Sequence, residues 1–179
     1  YGRYIRRAQY LRNLYDPFTG FMRPRVNGTR LSPFDPAEVN AHFTEASSWQ
    51  YSFHVQQDIS GLIDFSGGDT SFEEWLDELF DTSSETSGYN LKDMTGMIGQ
   101  YVHGNEPSHH IIYLYTMAGQ PWKTAERVRE VMSELYGTGR DGLCGNEDCG
   151  QMSAWFVLSA FGFYQVEPAG GRYWFGSPL

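Results

Sequence analysis

Short helical segments joined by short loops are the feature that most constrains how this chain folds. The clearest helical signal begins at Ser71, which together with Glu74 has the spacing of a capping box. Its apolar residues fall at i, i+3, i+4, i+7 and i+8, which predicts one buried stripe: Phe72, Trp75, Leu76, Leu79 and Phe80. No alternation of strands and helices is visible, so a parallel sheet is not expected.

The same reasoning predicts helices at several other places, namely residues 3–15, 91–101, 108–118, 124–136 and 151–163. Residues 17–36 are rich in Pro, Gly and Arg and are predicted to form a long loop with one short strand. The tail from Tyr164 to Phe175 alternates around two glycines, which suggests a β-hairpin. Helices joined by short loops pack antiparallel, so we predict an all-α fold, part of a toroid or bundle, with one hairpin near the C-terminus.

Charge and hydropathy exclude two classes of partner. The 179 residues include 22 acidic and 13 basic side chains, for a net charge of -9, and they form no basic stripe that would bind nucleic acid. No apolar run reaches the roughly 18 residues needed to cross a bilayer. The length fits one domain. Because the sequence opens inside a predicted helix and stops in a turn, we expect it to be part of a larger protein.

Two polar loops carry the most distinctive chemistry. Residues 101–110 (YVHGNEPSHH) and 142–155 (GLCGNEDCGQMSAW) each gather acids, amides and glycines and then enter an apolar helix. This pattern displays polar groups at the end of a rigid helical scaffold. Candidate general acids and bases are the carboxyl groups that lie beside Trp, Gly and amides in the sequence: Glu45, Glu106, Glu147 and Asp148.

The histidines leave two interpretations open. His103, Glu106 and His109 could bind a transition metal, but Pro107 interrupts any helix that would align them. A hard cation held by Glu106, backbone carbonyls and water fits the loop better. The two cysteines, Cys144 and Cys149, are interpreted as thiols or as one local disulfide, and their spacing does not decide between these.

Large aromatic side chains near the polar loops are candidates for stacking on sugar rings. Trp49 and Trp122 lie beside polar residues, whereas Trp155 falls in an apolar helix and is predicted to be core.

Four sequence blocks resemble, in order, the signature of glycoside hydrolase family 92. They are residues 44–51 (TEASSWQY), 103–110 (HGNEPSHH), 118–124 (AGQPWKT) and 145–155 (GNEDCGQMSAW, followed by FGFY at 161–164). The resemblance implies a calcium-dependent exo-α-mannosidase that inverts anomeric configuration. It also implies that residues 1–179 are part of an (α/α)6 catalytic barrel. The family's N-terminal β-sandwich, absent from this chain, is then expected as a partner that completes the active site.

The resemblance also assigns roles to particular positions. Glu45 matches the general acid, and Asp148 matches the general base that activates water. Glu106 and His109 lie in the block expected to hold calcium. The block positions also suggest contacts with a mannose-containing glycan, and these are expected from Trp49, Gln50, Asn105, Trp122, Asn146 and Glu147. Asn146 stands where some members carry a second aspartate.

Three readings of function therefore remain at the level of sequence. The first is hydrolysis of terminal α-mannosidic linkages in glycan breakdown, outside the cell or in a periplasm, as the family suggests. The second is a transition-metal hydrolase that uses His103, Glu106 and His109. The third is a non-catalytic, calcium-dependent glycan-binding domain. Calcium dependence separates the first from the second, and product formation from an aryl α-mannoside separates an enzyme from a lectin.

Overall fold

A computed structural model describes all residues, 1–179, and shows a helix-rich chain. Its α-helices are α1 (Gly2–Ala8), α2 (Ser48–Phe53), α3 (Ile59–Ser66), α4 (Asp69–Asp81), α5 (Leu114–Met117), α6 (Pro121–Glu134) and α7 (Gln151–Ala160). Short 3-10 helices span Gln9–Asn13, Glu106–Ser108 and Ile111–Tyr113. None of these helices has the length and apolar character required to cross a membrane.

Ten very short strands pair into five two-stranded sheets. They are β1 (Tyr15–Asp16), β2 (Phe21–Met22), β3 (Arg25–Val26), β4 (Thr29–Arg30), β5 (Glu38–Val39), β6 (Ser87–Gly88), β7 (Met97–Ile98), β8 (Tyr101–Val102), β9 (Phe163–Tyr164) and β10 (Trp174–Phe175). Consecutive strands pair as antiparallel hairpins, except that β5 pairs with β6 in parallel. The predicted C-terminal hairpin is confirmed as β9–β10, with Trp174 opposite Tyr164. The expectation of a single hairpin was wrong, because four other small sheets join the helices.

The core lies among α2 to α7 and contains 25 buried apolar residues. The predicted stripe on α4 is confirmed: Phe72, Leu76, Leu79 and Phe80 are buried, and Trp75 packs against them partly buried. Helix α3 packs on α4, and α5 packs on α6. The helical spacing of apolar residues therefore identified the side of α4 that faces the core.

Helix α2 is held by its own cap and by strand β2. Ser47 and Gln50 form a capping box at its start. The Ser48 hydroxyl donates to the carbonyl of Met22 at 2.6 Å, and the Met22 amide donates to the Ser52 hydroxyl at 2.8 Å. Glu45 lies two residues before the N-cap Ser47, so the cap fixes where the Glu45 loop enters the core.

Several predicted boundaries were wrong for identifiable reasons. Residues 91–101 form no helix, because Gly99 turns the chain with φ +57° and brings β7 back onto β8. A side chain at Gly99 would collide with the backbone carbonyls of Leu79 and Phe80. Helix α4 begins at Asp69, so Ser71 lies inside it.

Thr124 also lies inside a helix rather than at its start. Helix α6 begins at Pro121, and the Thr124 hydroxyl donates to the carbonyl of Ile112 at 3.1 Å. Pro at the first position of a helix removes an amide that would have no partner there. Thr124 therefore joins α6 to the segment before α5 and does not cap α6.

Candidate active site

Three loops that are far apart in sequence meet at one place on the surface. The side-chain amide of Asn105 donates to the backbone carbonyl of Glu45 at 2.7 Å. Its neighbour Glu106 has its carboxyl group beside that of Asp148. The side chains of Glu45, Glu106 and Asp148 are all exposed. Asn105 and Glu106 therefore link the 101–110 loop to the loops that hold Glu45 and Asp148.

The pKa of Asp148 is raised above its ordinary value. Desolvation is the largest cause, followed by the hydrogen bond and the negative charge of Glu106, with a smaller contribution from Glu147. His109 acts in the opposite direction. A carboxyl group whose proton is held more tightly is a better proton acceptor when ionised, which suits a general base.

Unusual backbone conformations mark both predicted catalytic positions. Glu45 and Asp148 each have φ +50°, and Cys149 has φ +57°. Residues other than Gly adopt this left-handed region rarely and at some cost, and such strain is found preferentially at functional sites. The strain therefore coincides with the two acids to which the resemblance assigns catalytic roles.

His103 and His109 are structural, and neither has a nitrogen free to bind metal. Tyr136 donates to the carbonyl of Met152 at 3.0 Å, so its oxygen accepts from Nε2 of His103 at 2.7 Å. Nδ1 of His103 then accepts from the Tyr101 hydroxyl at 2.8 Å. His109 donates from Nε2 to the carbonyl of His103 at 2.8 Å, and its Nδ1 accepts from Gln151 at 3.0 Å.

These contacts correct two predictions. The transition-metal site formed by His103, Glu106 and His109 is wrong, because every ring nitrogen already has a partner. His109 as a calcium ligand is wrong for the same reason. Burial lowers the pKa of His103 to about 2 and also lowers that of His109, so both rings stay neutral. No group of three or more His, Cys, Asp and Glu side chains in the chain is arranged to hold a metal.

The predicted sugar-binding aromatics occupy two different environments. Trp49 is 5% exposed and packs edge-on against Phe21 at 4.6 Å between ring centroids, so its faces belong to the core. Trp122 is 58% exposed at the start of α6, where Nε1 donates to Gln120 at 2.9 Å. Gln120 in turn bonds Glu73 on α4. The burial of Trp49 leaves it no free face for a sugar, whereas Trp122 is exposed and its contact with a sugar stays a prediction.

Two other side chains that were predicted to contact substrate form hydrogen bonds within the protein. The Gln50 side chain is buried, accepts from the Ser47 amide at 2.7 Å and donates to the carbonyl of Gln100. The carboxylate of Glu147 accepts from the amide and the hydroxyl of Ser153, at 3.2 and 2.9 Å, and so satisfies the first turn of α7. Asn146 is exposed beside them.

The thiols and the predicted core tryptophan lie around the same loop. Cys144 and Cys149 are both free thiols, and burial raises the pKa of Cys144. Trp155 is completely buried, as predicted, and its Nε1 donates to the carbonyl of His109 at 2.9 Å. Sequence reasoning missed Gln151 as a partner of His109, and its position inside the 145–155 block was the available signal.

A surface cavity of about 520 Å³ opens beside Glu106. It has a lining of amides, one imidazole and a phenol over an apolar floor, and its polar residues are His54, Gln56, Glu106, Gln151, Tyr164 and Gln165. Burial lowers the pKa of His54, which favours the neutral ring. Apart from Glu106, these are uncharged groups that donate or accept hydrogen bonds, and such a lining suits a polyhydroxyl ligand.

Comparison with known proteins agrees with this chemistry. The profile of the glycosyl hydrolase family 92 catalytic domain matches residues 1–179. A protein described as an uncharacterized secreted glycosidase, from Arthroderma benhamiae, is 30% identical over 159 residues. That match covers 82% of this chain and 19% of the relative.

Two solved structures from Bacteroides thetaiotaomicron are also similar. One is a family 92 α-mannosidase in complex with mannoimidazole, with a TM-score of 0.88 and 40% identity over 97% of this chain. The other is a family 92 inverting mannosidase, with a TM-score of 0.83 and 41% identity over 99% of this chain. The chain spans about a quarter of each, 24% and 25%. Because the family profile matches all of residues 1–179, the chain belongs to the catalytic domain of glycosyl hydrolase family 92.

Proposed function

We propose that this chain is the part of an inverting exo-α-mannosidase that carries its general acid and its general base. The observation that carries the proposal is the meeting of the Glu45, Asn105–Glu106 and Asp148 loops at one surface. Two similar structures, of which the chain spans about a quarter, are described as an α-mannosidase and an inverting mannosidase. The substrate is then a terminal α-linked mannose of a glycan.

The proposed reaction needs two carboxyl groups on opposite sides of the sugar ring. Glu45 protonates the leaving oxygen while Asp148 takes a proton from water, which attacks the anomeric carbon from the other face. The two groups must stand about 6.5–9.5 Å apart to leave room for that water. Asp148 suits the base, because Glu106 helps to raise its pKa. Glu45 requires a less polar surrounding, which bound substrate and the rest of the parent protein would supply.

Calcium is the cofactor that we propose for this site. The available donors fit a hard cation better than a nitrogen-preferring metal, since Glu106 offers an exposed carboxylate while the rings of His103 and His109 are fully bonded. Most of the six to eight oxygen ligands of calcium would then come from carbonyls and water. When bound, the ion would contact sugar hydroxyls and favour distortion of the ring.

We further propose that the remainder of the parent protein, including an N-terminal β-sandwich, completes an (α/α)6 barrel and the active site. The chain is a quarter or less of the length of its relatives, which supports the presence of additional segments. Secretion or a periplasmic location is consistent with the relative described as secreted.

The test is hydrolysis of an aryl α-mannoside by the parent protein, followed by proton NMR from the first seconds. We expect β-mannose to appear first and α-mannose to form afterwards by mutarotation. Initial formation of α-mannose would contradict inversion. Binding of mannosides without any product would instead support a glycan-binding domain.

A further inference from the structure

His109 makes three hydrogen bonds, two of which join the 101–110 loop to helix α7. Its Nε2 donates to the carbonyl of His103 at 2.8 Å, and its Nδ1 accepts from the side-chain amide of Gln151 at 3.0 Å. Its own carbonyl accepts from Nε1 of Trp155 at 2.9 Å. His109 is 2% exposed and Trp155 is completely buried, so the bonds to His103 and Trp155 are shielded from water, while Gln151 is half-buried.

The two bonded side chains are also connected to the two neighbouring acids through the backbone. The amide of His109 donates to the carbonyl of Glu106 at 3.1 Å, and the amide of Gln151 donates to the carbonyl of Asp148 at 3.2 Å. The contact between the Glu106 and Asp148 carboxyl groups completes a closed set of contacts. Glu106, His109, Gln151 and Asp148 therefore form a ring of contacts.

These four residues must overcome two unfavourable terms, charge repulsion between the acids and backbone strain in the Asp148 loop. Like charges on Glu106 and Asp148 repel each other when both are ionised. Asp148 and Cys149 both hold positive φ angles, which persist only where surrounding contacts determine them. The bond from His109 to Gln151 supplies such a contact, because Gln151 is the first residue of α7 and follows Asp148 by one turn.

We propose that His109 and Gln151 are a positioning pair that holds Asp148 beside Glu106. The pair acts by fixing the loop that carries the base, and Gln151 also lines the cavity beside Glu106. The catalytic consequence rests on that proposed function, whereas the positioning itself does not. A displacement of about 1 Å at a reacting group can reduce turnover by about a hundredfold.

The main test is Gln151→Leu in the parent protein, assayed on an aryl α-mannoside. Leu keeps most of the volume of Gln but removes the amide that bonds Nδ1 of His109. We expect kcat to fall by about tenfold or more and to change more than KM does, because positioning of the base affects the chemical step. His109→Asn, which keeps an acceptor near the position of Nδ1, should retain more activity than His109→Phe.

The matched control is Gln9→Leu. The Gln9 amide also joins two separate segments, by donating to Asp58 at 2.8 Å, but it bonds none of Glu45, Glu106 and Asp148. We expect its kcat and KM to equal those of the unmodified protein. If Gln151→Leu behaves like Gln9→Leu in both constants, the positioning pair is refuted.

Hydrogen exchange tests the positioning without relying on activity. The amides of Gln151 and Met152 bond the carbonyls of Asp148 and Glu147, so loosening this turn should speed their exchange in Gln151→Leu. A peptide that covers residues 1–15 should be unchanged. Unchanged exchange at residues 147–153 would overturn the proposal. A parent protein that leaves aryl α-mannosides intact would instead overturn the proposed function, while exchange would still decide the positioning.

Discussion

The buried histidines and the exposed Glu106 of the 103–110 segment differ in role, although they are neighbours in sequence. His103, His109 and His110 are each 2% exposed or less, and each bonds a protein group through Nε2. Glu106 is exposed and meets Asp148. The histidines are thus part of the framework, and the acids are available for chemistry. A motif rich in His and Glu does not by itself identify a metal site.

The largest expected effect comes from the exposed side of this comparison. Asp148→Asn in the parent protein should reduce kcat on an aryl α-mannoside by about 10²–10⁴-fold, because the amide cannot accept a proton from water. Asp141→Asn is the control, since Asp141 is exposed in the preceding loop. We expect that variant to have an unchanged kcat. Near-full activity of Asp148→Asn would remove Asp148 from the reaction.

The second prediction compares a buried with an exposed tryptophan. Trp49→Ala should lower the free energy of unfolding by about 3–5 kcal/mol, because a large core side chain leaves a cavity. Trp122→Ala should change it by no more than about 0.5 kcal/mol. Denaturant titration of both variants measures the difference. Equal losses would show that the environments of the two rings are assigned incorrectly.

The buried histidines should make stability depend on pH. Burial lowers the folded-state pKa of His103 to about 2 and that of His110 to about 3, while both titrate near the ordinary value of 6.5 when unfolded. The unfolded chain therefore binds protons that the folded chain excludes. The free energy of unfolding is therefore unaffected by the titration of these two rings above about pH 6.5. It falls as the pH drops towards 3, by about 1.4 kcal/mol per pH unit for each histidine.

Thermal unfolding at pH 7 and pH 5 measures this effect. His110→Gln keeps an amide that can donate to the carbonyl of Phe53 but cannot be protonated, so it should reduce the difference between the two midpoints. His42→Gln is the control, because His42 is exposed and should leave the difference unchanged. A midpoint difference that is the same in His110→Gln as in the unmodified protein would contradict the neutral, buried ring.

The smallest predicted effect concerns the proposed calcium ion. Chelation should reduce activity by at least about tenfold, and calcium should restore it, because Glu106 is an oxygen donor. Zinc should not restore it, since both nitrogens of His103 and of His109 are already bonded. Restoration by zinc alone would contradict the assignment of these rings to the framework.

Local patterns in the sequence predicted the parts of the fold that depend on neighbouring residues. The apolar stripe of α4 and the β9–β10 hairpin were correct, because spacing along the chain determines which side chains share a face. The helix predicted at residues 91–101 was wrong, because close approach of Gly99 to the end of α4 overrides local propensity. Tertiary contacts of this kind leave no periodic signal.

The sequence likewise predicted only part of the candidate site. Sequence blocks identified Glu106 and Asp148, whose carboxyl groups meet in the structure. They did not reveal that His109 is fully bonded, because Gln151 lies 42 residues further along the chain. Nor did they show that Trp49 and Gln50 are buried, since a polar neighbourhood in sequence does not determine which way a side chain points.

The separation of the Glu45 and Asp148 carboxyl groups, measured in a crystal structure of the parent protein with a bound non-hydrolysable mannoside, tests the proposed reaction most directly. We predict a distance of about 6.5–9.5 Å, with the sugar and one water between the two groups. A distance of about 5–5.5 Å would indicate a retaining enzyme instead. Carboxyl groups that do not face a common cleft would contradict the proposal altogether.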